Sequence, residues 1–195
     1  IKKQGIDVRL NTEVNDLGTL RGFDEIIVAT GSVPRNMPAV KGFDKTITLT
    51  QLLREKKEVG DKVMFFGGGQ SACEAAYEMI LQGKHPMIVE YAKDLVPAQN
   101  VCLANASFLR DMMEYKNVPV YLESTITEIG DGYVIVRHKD GSTEKIECDD
   151  VVNGIGFVPT PVGEKARNVH RVGDCVAIGN LRTVIWRAWD VCMKI

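Results

Sequence analysis

The chain has 195 residues, 45% of them hydrophobic and 18 of them glycine, with a formal charge of −2 and a pI near 6. That composition fits a globular α/β protein with a buried core, arranged as one large domain or two small ones. It argues against a nucleic-acid partner, because no basic stripe with interleaved aromatics occurs, and no apolar run approaches the ~18 residues of a membrane span. A charged-then-apolar leader is also missing, so a cytoplasmic location is expected. The sequence opens IKKQGIDVRL without an initiating Met, which reads as part of a longer chain.

In chain order, IDVRL (6–10) and DEIIVAT (24–30) read as strands, and Pro34, Pro38 and Gly42 mark an irregular segment after the second. TLTQLLREKKEVGD (48–61) reads as a short polar-faced helix leading to a boundary near Gly60. From Lys62 the pattern becomes βαβα: VMFF (63–66), a helix from Ser71 to Gln82, MIVE (87–90) and a helix around Ala104 to Tyr115. Such alternation implies a parallel sheet with crossover helices. VYLESTITEI (120–129), YVIVRH (133–138) and TEKIEC (143–148) come next as three short strands, joined at Asp131-Gly132 and Asp140-Gly141. Those dipeptides favour tight hairpins, so the three form an antiparallel flap. DDVVNGIG (149–156) and VHRVGDC (169–175) are further strands, and LRTVIWRAWDVCMKI (181–195) closes the chain as a helix.

Cys73, Cys102, Cys148, Cys175 and Cys192 are too widely spaced for any CxxC zinc or redox pair, and they read as buried small hydrophobes. His85, His138 and His170 are scattered beside turns and strand edges, and none is nominated as a base. Neither a metal site nor a catalytic side chain is expected.

The sharpest signal is Gly67-x-Gly69-x-x-Ala72, between a strand and a helix whose Ala72, Ala75, Ala76, Met79 and Ile80 recur at helical spacing. Gly67 permits the sharp turn, Gly69 leaves no Cβ in the way of a pyrophosphate, and Ala72 lets the helix pack closely on the strand. The helix N-terminus, with Gly68, Gln70 and Ser71 around it, then faces the anion. Glu90 ends the next strand, where a carboxylate can accept from the hydroxyls of an adenosine ribose and would repel a 2′-phosphate, so NADH is expected rather than NADPH. A glycine turn alone is weak evidence; strand, glycines, small third position, helix and terminal acid together point to a dinucleotide site.

GGGQSACEAA (67–76), VATGSVPR (28–35) and VGDCVAIGNLRTVIWRAWD (172–190) together resemble the C-terminal part of flavoenzymes with two dinucleotide-binding domains, most of all the 2-enoate reductase and 2,4-dienoyl-CoA reductase group. The resemblance implies an α/β fold in which a Rossmann-like domain with an antiparallel β-meander, residues 62–157, is inserted in a partial FAD-binding domain, residues 1–61 and 158–195. It implies Gly156 beside the glycine turn for NADH, and Thr30, Gly31, Gly173, Asp174, Arg182 and Thr183 for FAD, with Asp174 on the ribityl or pyrophosphate region. Trp186 and Trp189 read as core, and Met112, Met113 and Tyr115 as core or subunit contacts. An old-yellow-enzyme-like barrel with FMN and an iron–sulfur cluster would lie in the N-terminal part of the parent chain and would be this region's partner. A homo-oligomer is compatible with it.

In such a protein NADH passes hydride to FAD for reduction of an activated C=C bond in the barrel, and this region alone is expected to be inactive. Two alternatives differ in class: a thioredoxin-reductase-like enzyme, against which the lack of a CxxC counts, and a non-catalytic NADH-binding module. The family's first glycine fingerprint, which holds the FAD pyrophosphate, is expected ahead of Ile1, leaving the FAD site half present. The link between Pro161 and Val169 is shorter than such proteins usually have.

Overall fold

The computed structural model describes residues 2–97 and 101–195, which form two compact units: residues 34–156, and residues 1–33 together with 157–195. In chain order the strands are β1 (Ile26–Val28), β2 (Ser32–Pro34), β3 (Ile47–Thr48), β4 (Lys62–Phe66), β5 (His85–Val89), β6 (Val120–Tyr121), β7 (Thr125–Ile129), β8 (Tyr133–Arg137), β9 (Thr143–Glu147), β10 (Asp150–Asn153), β11 (Phe157–Pro159) and β12 (Val169–Arg171). The helices are α1 (Leu49–Leu53), α2 (Gln70–Leu81), α3 (Leu103–Tyr115) and α4 (Leu181–Cys192).

The unit of residues 34–156 is built on a parallel sheet in the order β3-β10-β4-β5-β6. β4 lies at its centre, and its run Val63, Met64, Phe65, Phe66 is buried on both faces, as a strand inside a covered parallel sheet must be. Alternate residues serve different cores. Val63 and Phe65 join Ile88 and Val152 under Ala72, Ala75, Ala76 and Met79 of α2 and Leu109 and Met113 of α3. Met64 and Phe66 join Val89 and Val151 under Ile126, Ile129, Val134, Val136 and Ile146 of the meander β7-β8-β9. Gly132 and Gly141 turn that meander with positive φ of 80° and 86°, as the Asp-Gly pairs require.

This unit begins ahead of the expected boundary at Lys62, because β3 pairs in parallel with β10 and draws 34–61 into the same body. The segment 48–61 is helical only over its first turn. Thr48 and Gln51 form a reciprocal capping box that starts α1, and Lys56, at φ 53°, has left the helical conformation. Beyond it the chain is tied by side chains: Lys84 Nζ donates to the carbonyls of Val59 (2.6 Å) and Gly60 (3.0 Å), and Asp149 Oδ2 accepts from the N–H groups of Asp61 and Lys62, both at 2.8 Å. VYLESTITEI, expected as one strand, is two. Val120 and Tyr121 extend the parallel sheet beside β5, Glu123 turns the chain at φ 47°, and Thr125 onward enters the meander.

In the unit of residues 1–33 and 157–195, β1 pairs in parallel with β12, and β2 and β11 form a separate two-stranded sheet. IDVRL is not a strand: Ile6, Val8 and Leu10 are exposed, and no strand among the described residues lies alongside to complete a ladder. α4 starts at a capping box between Asn180 and Thr183 and has no buried residue. Trp186 and Trp189, expected in a core, are exposed, on a stripe with Leu181, Ile185 and Met193 at helical spacing. Of the three residues expected in a core or at a subunit contact, Met113 is buried, Met112 is half-buried and Tyr115 is exposed. Of the cysteines, Cys73, Cys148 and Cys175 are buried but Cys102 and Cys192 are exposed, and all are free thiols.

Candidate dinucleotide site

From β4 the chain crosses by α2 to β5 and by α3 to β6 on one side, and it returns through the meander to β10 on the other side of β4. The carboxyl ends of β4 and β10 therefore form a topological switch point, where open α/β sheets leave a crevice for ligands. Residues 67–69 come directly after β4 there, and residues 154–156 directly after β10.

The three glycines of the turn have different reasons to be glycine. Gly67 has φ 106°, and a Cβ on it would lie 2.5 Å from the Gly154 carbonyl oxygen. Gly68 is enclosed: a Cβ would meet Leu95 Cδ2 at 2.5 Å. Gly69 is the N-cap of α2 in an extended conformation, and a Cβ there meets nothing within 4 Å. Its small size is thus not demanded by the protein's own packing; the space in front of it stays open. No side chain caps α2, and no acidic residue stands in its first turn, so the first N–H groups and the positive end of the helix are left for an anion. Gln70 turns its amide to Glu74 Oε1 (2.8 Å), and Ser71 is exposed.

Glu90 is 9% exposed and already engaged. Oε2 accepts the Gly68 N–H at 2.6 Å and Oε1 accepts the Ala92 N–H at 2.7 Å. The acid at the strand end therefore anchors the glycine turn from behind, and each oxygen keeps a second lone pair for a hydroxyl donor. Cys73, on the first turn of α2, donates its thiol to the Gly68 carbonyl. Burial, with the Glu90 charge adding to it, pushes that thiol up to about 12, so it stays protonated and unreactive.

Gly156, at φ 93°, is exposed and its carbonyl accepts the Arg35 N–H at 2.9 Å. Sequence reasoning overlooked Gly154, whose N–H binds the Phe66 carbonyl at 2.8 Å and whose Cβ, if present, would strike Ala72. The NG pair at the end of an apolar strand was the available sign. It also overlooked Arg110, which no spacing connects to the turn.

The residues expected at FAD lie in the other unit. Thr30 Oγ1 donates to the Thr160 carbonyl (2.6 Å), and the carbonyl of Gly31, at φ 73°, accepts the Thr160 hydroxyl. Gly173 has φ 68°, and Asp174 Oδ1 accepts the Gly179 N–H at 3.2 Å. Thr183 Oγ1 is taken up by the α4 cap, while Arg182 is exposed. Ser124 Oγ lies 3.1 Å from His138 Nδ1, with Glu144 3.3 Å beyond on Nε2. This has the outline of a hydrolytic triad, but Ser124 is 3% exposed and its hydroxyl donates to the Leu122 carbonyl, so it ties the turn between β6 and β7 to His138 directly after β8.

A parallel sheet with a glycine turn opening an uncapped helix at the switch point defines a dinucleotide-binding class of fold. Residues 1–183 match the family described as pyridine nucleotide-disulphide oxidoreductase, and the chain belongs to that family. It is similar to cinnamate reductase of Clostridium sporogenes, at 31% identity over 100% of this chain but 30% of that protein. It is also similar to nitrite reductase [NAD(P)H] of Bacillus subtilis, at 31% identity over 79% of this chain and 20% of that one. Among solved structures, a 2-naphthoyl-CoA reductase complex matches with a TM-score of 0.82 and 30% identity, covering 100% of this chain and 30% of that chain. The thioredoxin reductase of T. acidophilum matches at a TM-score of 0.64 and 21% identity over 86% of this chain and 62% of that one, a likeness of fold. The chain thus spans less than a third of the length of the cinnamate reductase, the nitrite reductase and the 2-naphthoyl-CoA reductase. Among the described residues no helix is long and apolar enough to cross a membrane.

Proposed function

We propose that this chain is the nicotinamide-binding region of an NADH-dependent flavin oxidoreductase that reduces activated C=C bonds, in a larger protein of the cinnamate-reductase kind. The unit of residues 34–156 holds NADH, and segments 1–33 and 157–195 contribute to an FAD site. NADH supplies a hydride and FAD accepts it; reduction of the unsaturated substrate takes place in a separate barrel. The chain's own residues bind and orient. Gly69, Gln70 and Ser71 present backbone N–H groups to the pyrophosphate, Gly67 and Gly154 hold the turn against the sheet, and Gly156 borders the same crevice. Glu90 accepts from the adenosine ribose on its remaining lone pairs while it fixes Gly68.

The observation that carries this reading is the open space in front of Gly69 at an uncapped helix N-terminus, a cradle that a side chain would fill. Asp174, in the turn of the other unit, fits a flavin ribityl or pyrophosphate contact, and that assignment rests on the family pattern.

The test is calorimetric titration of NADH and NADPH into wild type and Glu90→Ser. A second negative group beside Glu90 costs several kcal/mol in a desolvated site, so wild type should prefer NADH by more than about tenfold. In Glu90→Ser the NADH affinity falls and the ratio narrows. Absence of NADH binding to wild type sinks the reading. A yellow, FAD-retaining preparation of the parent chain separates the enzyme from a non-catalytic NADH-binding module.

A further inference from the structure

The glycine turn is held in place by a strap. Residues 91–97 leave β5, and Ala92 is pinned at once, its N–H on Glu90 Oε1 and its carbonyl accepting the Glu123 N–H at 2.9 Å. Leu95 and Val96 then pack into the core under α2 and α3, 5% and 2% exposed. The Val96 N–H donates to the Gly68 carbonyl at 2.7 Å. On the strap's other side Arg110 of α3 donates from Nε to the Leu95 carbonyl (2.9 Å) and from Nη2 to the Val96 carbonyl (3.3 Å), with Asp94 Oδ2 2.9 Å from Nε.

Val96 is the strained point. Its φ is 50°, a left-handed conformation that a β-branched residue avoids, and Pro97 comes next, which favours extended backbone at the preceding position. Such a conformation persists only where the surroundings over-determine it. Here the anchors are the buried side chain, the N–H on Gly68 and the carbonyl on Arg110.

The consequence reaches the ligand side through peptide planarity. The Gly68 carbonyl and the Gly69 N–H belong to one trans peptide and point in opposite directions. With the carbonyl tied to Val96 and Cys73, the Gly69 N–H is directed away from the strap and from the Cys73 thiol. A glycine–glycine peptide flips readily when nothing holds it, because glycine tolerates either sign of φ.

We propose that Arg110 is a positioning residue of the dinucleotide site: through the Leu95 and Val96 carbonyls it keeps the strap in its strained shape, and the strap presets the Gly68–Gly69 peptide for the pyrophosphate. This rests on the NADH reading of the glycine turn. Arg110 itself touches no nucleotide. Without its guanidinium, Val96 relaxes toward extended backbone, its N–H leaves the Gly68 carbonyl, and the Gly69 N–H loses its preset direction.

The test compares wild type, Arg110→Ala, Arg110→Lys and the exposed α3 control Asp111→Ala by NADH calorimetry, each with a thermal melt. Arg110→Ala should bind NADH about tenfold more weakly or worse, Arg110→Lys should lose less, and Asp111→Ala should match wild type. Millimolar guanidinium chloride should restore affinity to Arg110→Ala, whereas sodium chloride at the same ionic strength should not. Undiminished binding by Arg110→Ala overturns the proposal. A loss that guanidinium leaves unchanged overturns it too, as ordinary destabilisation. Should Arg110→Ala fail to fold, amide exchange in wild type decides: NADH must slow the Val96 and Gly69 amides together, and an unresponsive Val96 overturns the proposal. Wild type that does not bind NADH removes the NADH reading itself, a result distinct from all of these.

Discussion

At the scale of single residues, the glycine turn separates what the fold needs from what a ligand needs. A Cβ on Gly67 would sit 2.5 Å from a backbone oxygen at φ 106°, so Gly67→Ala should destabilise the chain by roughly 1–3 kcal/mol or more, whether or not nucleotide is present. Gly69 has φ −68° and free space around its missing Cβ, so Gly69→Val should melt close to wild type yet lose NADH affinity by well over about tenfold. Thermal melts and NADH titrations of the two variants check this, and a Gly69→Val chain that binds NADH normally would falsify the cradle. The sequence motif marks both glycines alike. It cannot rank them, because the atoms that crowd Gly67 come from Gly154, distant in the chain and adjacent only across the sheet.

At the scale of elements, the acids at the start of β10 act as caps for the start of β4. Asp149 lies below its ordinary 3.8, chiefly because the Lys62 N–H, and then the Asp61 N–H, donate to its carboxylate. The sign comes from linkage: a depressed carboxyl stabilises the fold above its unfolded value, and that contribution disappears as the pH falls through the folded value. Urea midpoints of wild type and Asp149→Asn should therefore differ near neutrality and converge on acidification from about pH 5 to about pH 3. A constant difference across that range would show that the carboxylate charge plays no part. α2 and α3 were legible from their apolar periodicity, since each buries one stripe on one sheet face. The break within VYLESTITEI was not, because its alternation continues smoothly while the partner changes: β5 claims Val120 and Tyr121, and β8 claims the residues from Thr125 onward.

At the scale of the whole molecule, burial is uneven. β4, β5 and β10 sit between two hydrophobic clusters, whereas α4 has no buried residue. Amides open locally in proportion to how little burial opposes it. Hydrogen exchange measured by mass spectrometry should thus find the slowest amides in 63–66, 88–89 and 151–152, and α4 the fastest of the longer helices; α4 exchanging as slowly as β4 would contradict this distribution. The sequence by itself determined the α/β class, the βαβα order, the hairpin turns, the glycine turn and the family, because each is written in local periodicity or in a short motif whose chemistry depends on neighbours in the chain. Only the tertiary structure decided the rest. It set β10 beside β4 so that residues 67–69 and 154–156 meet at the switch point, turned Glu90 onto Gly68, and brought Arg110 against the strap over the glycine turn. Those contacts join residues that no local period relates, and they exist because closing a parallel sheet brings its strand ends together whatever their distance along the chain.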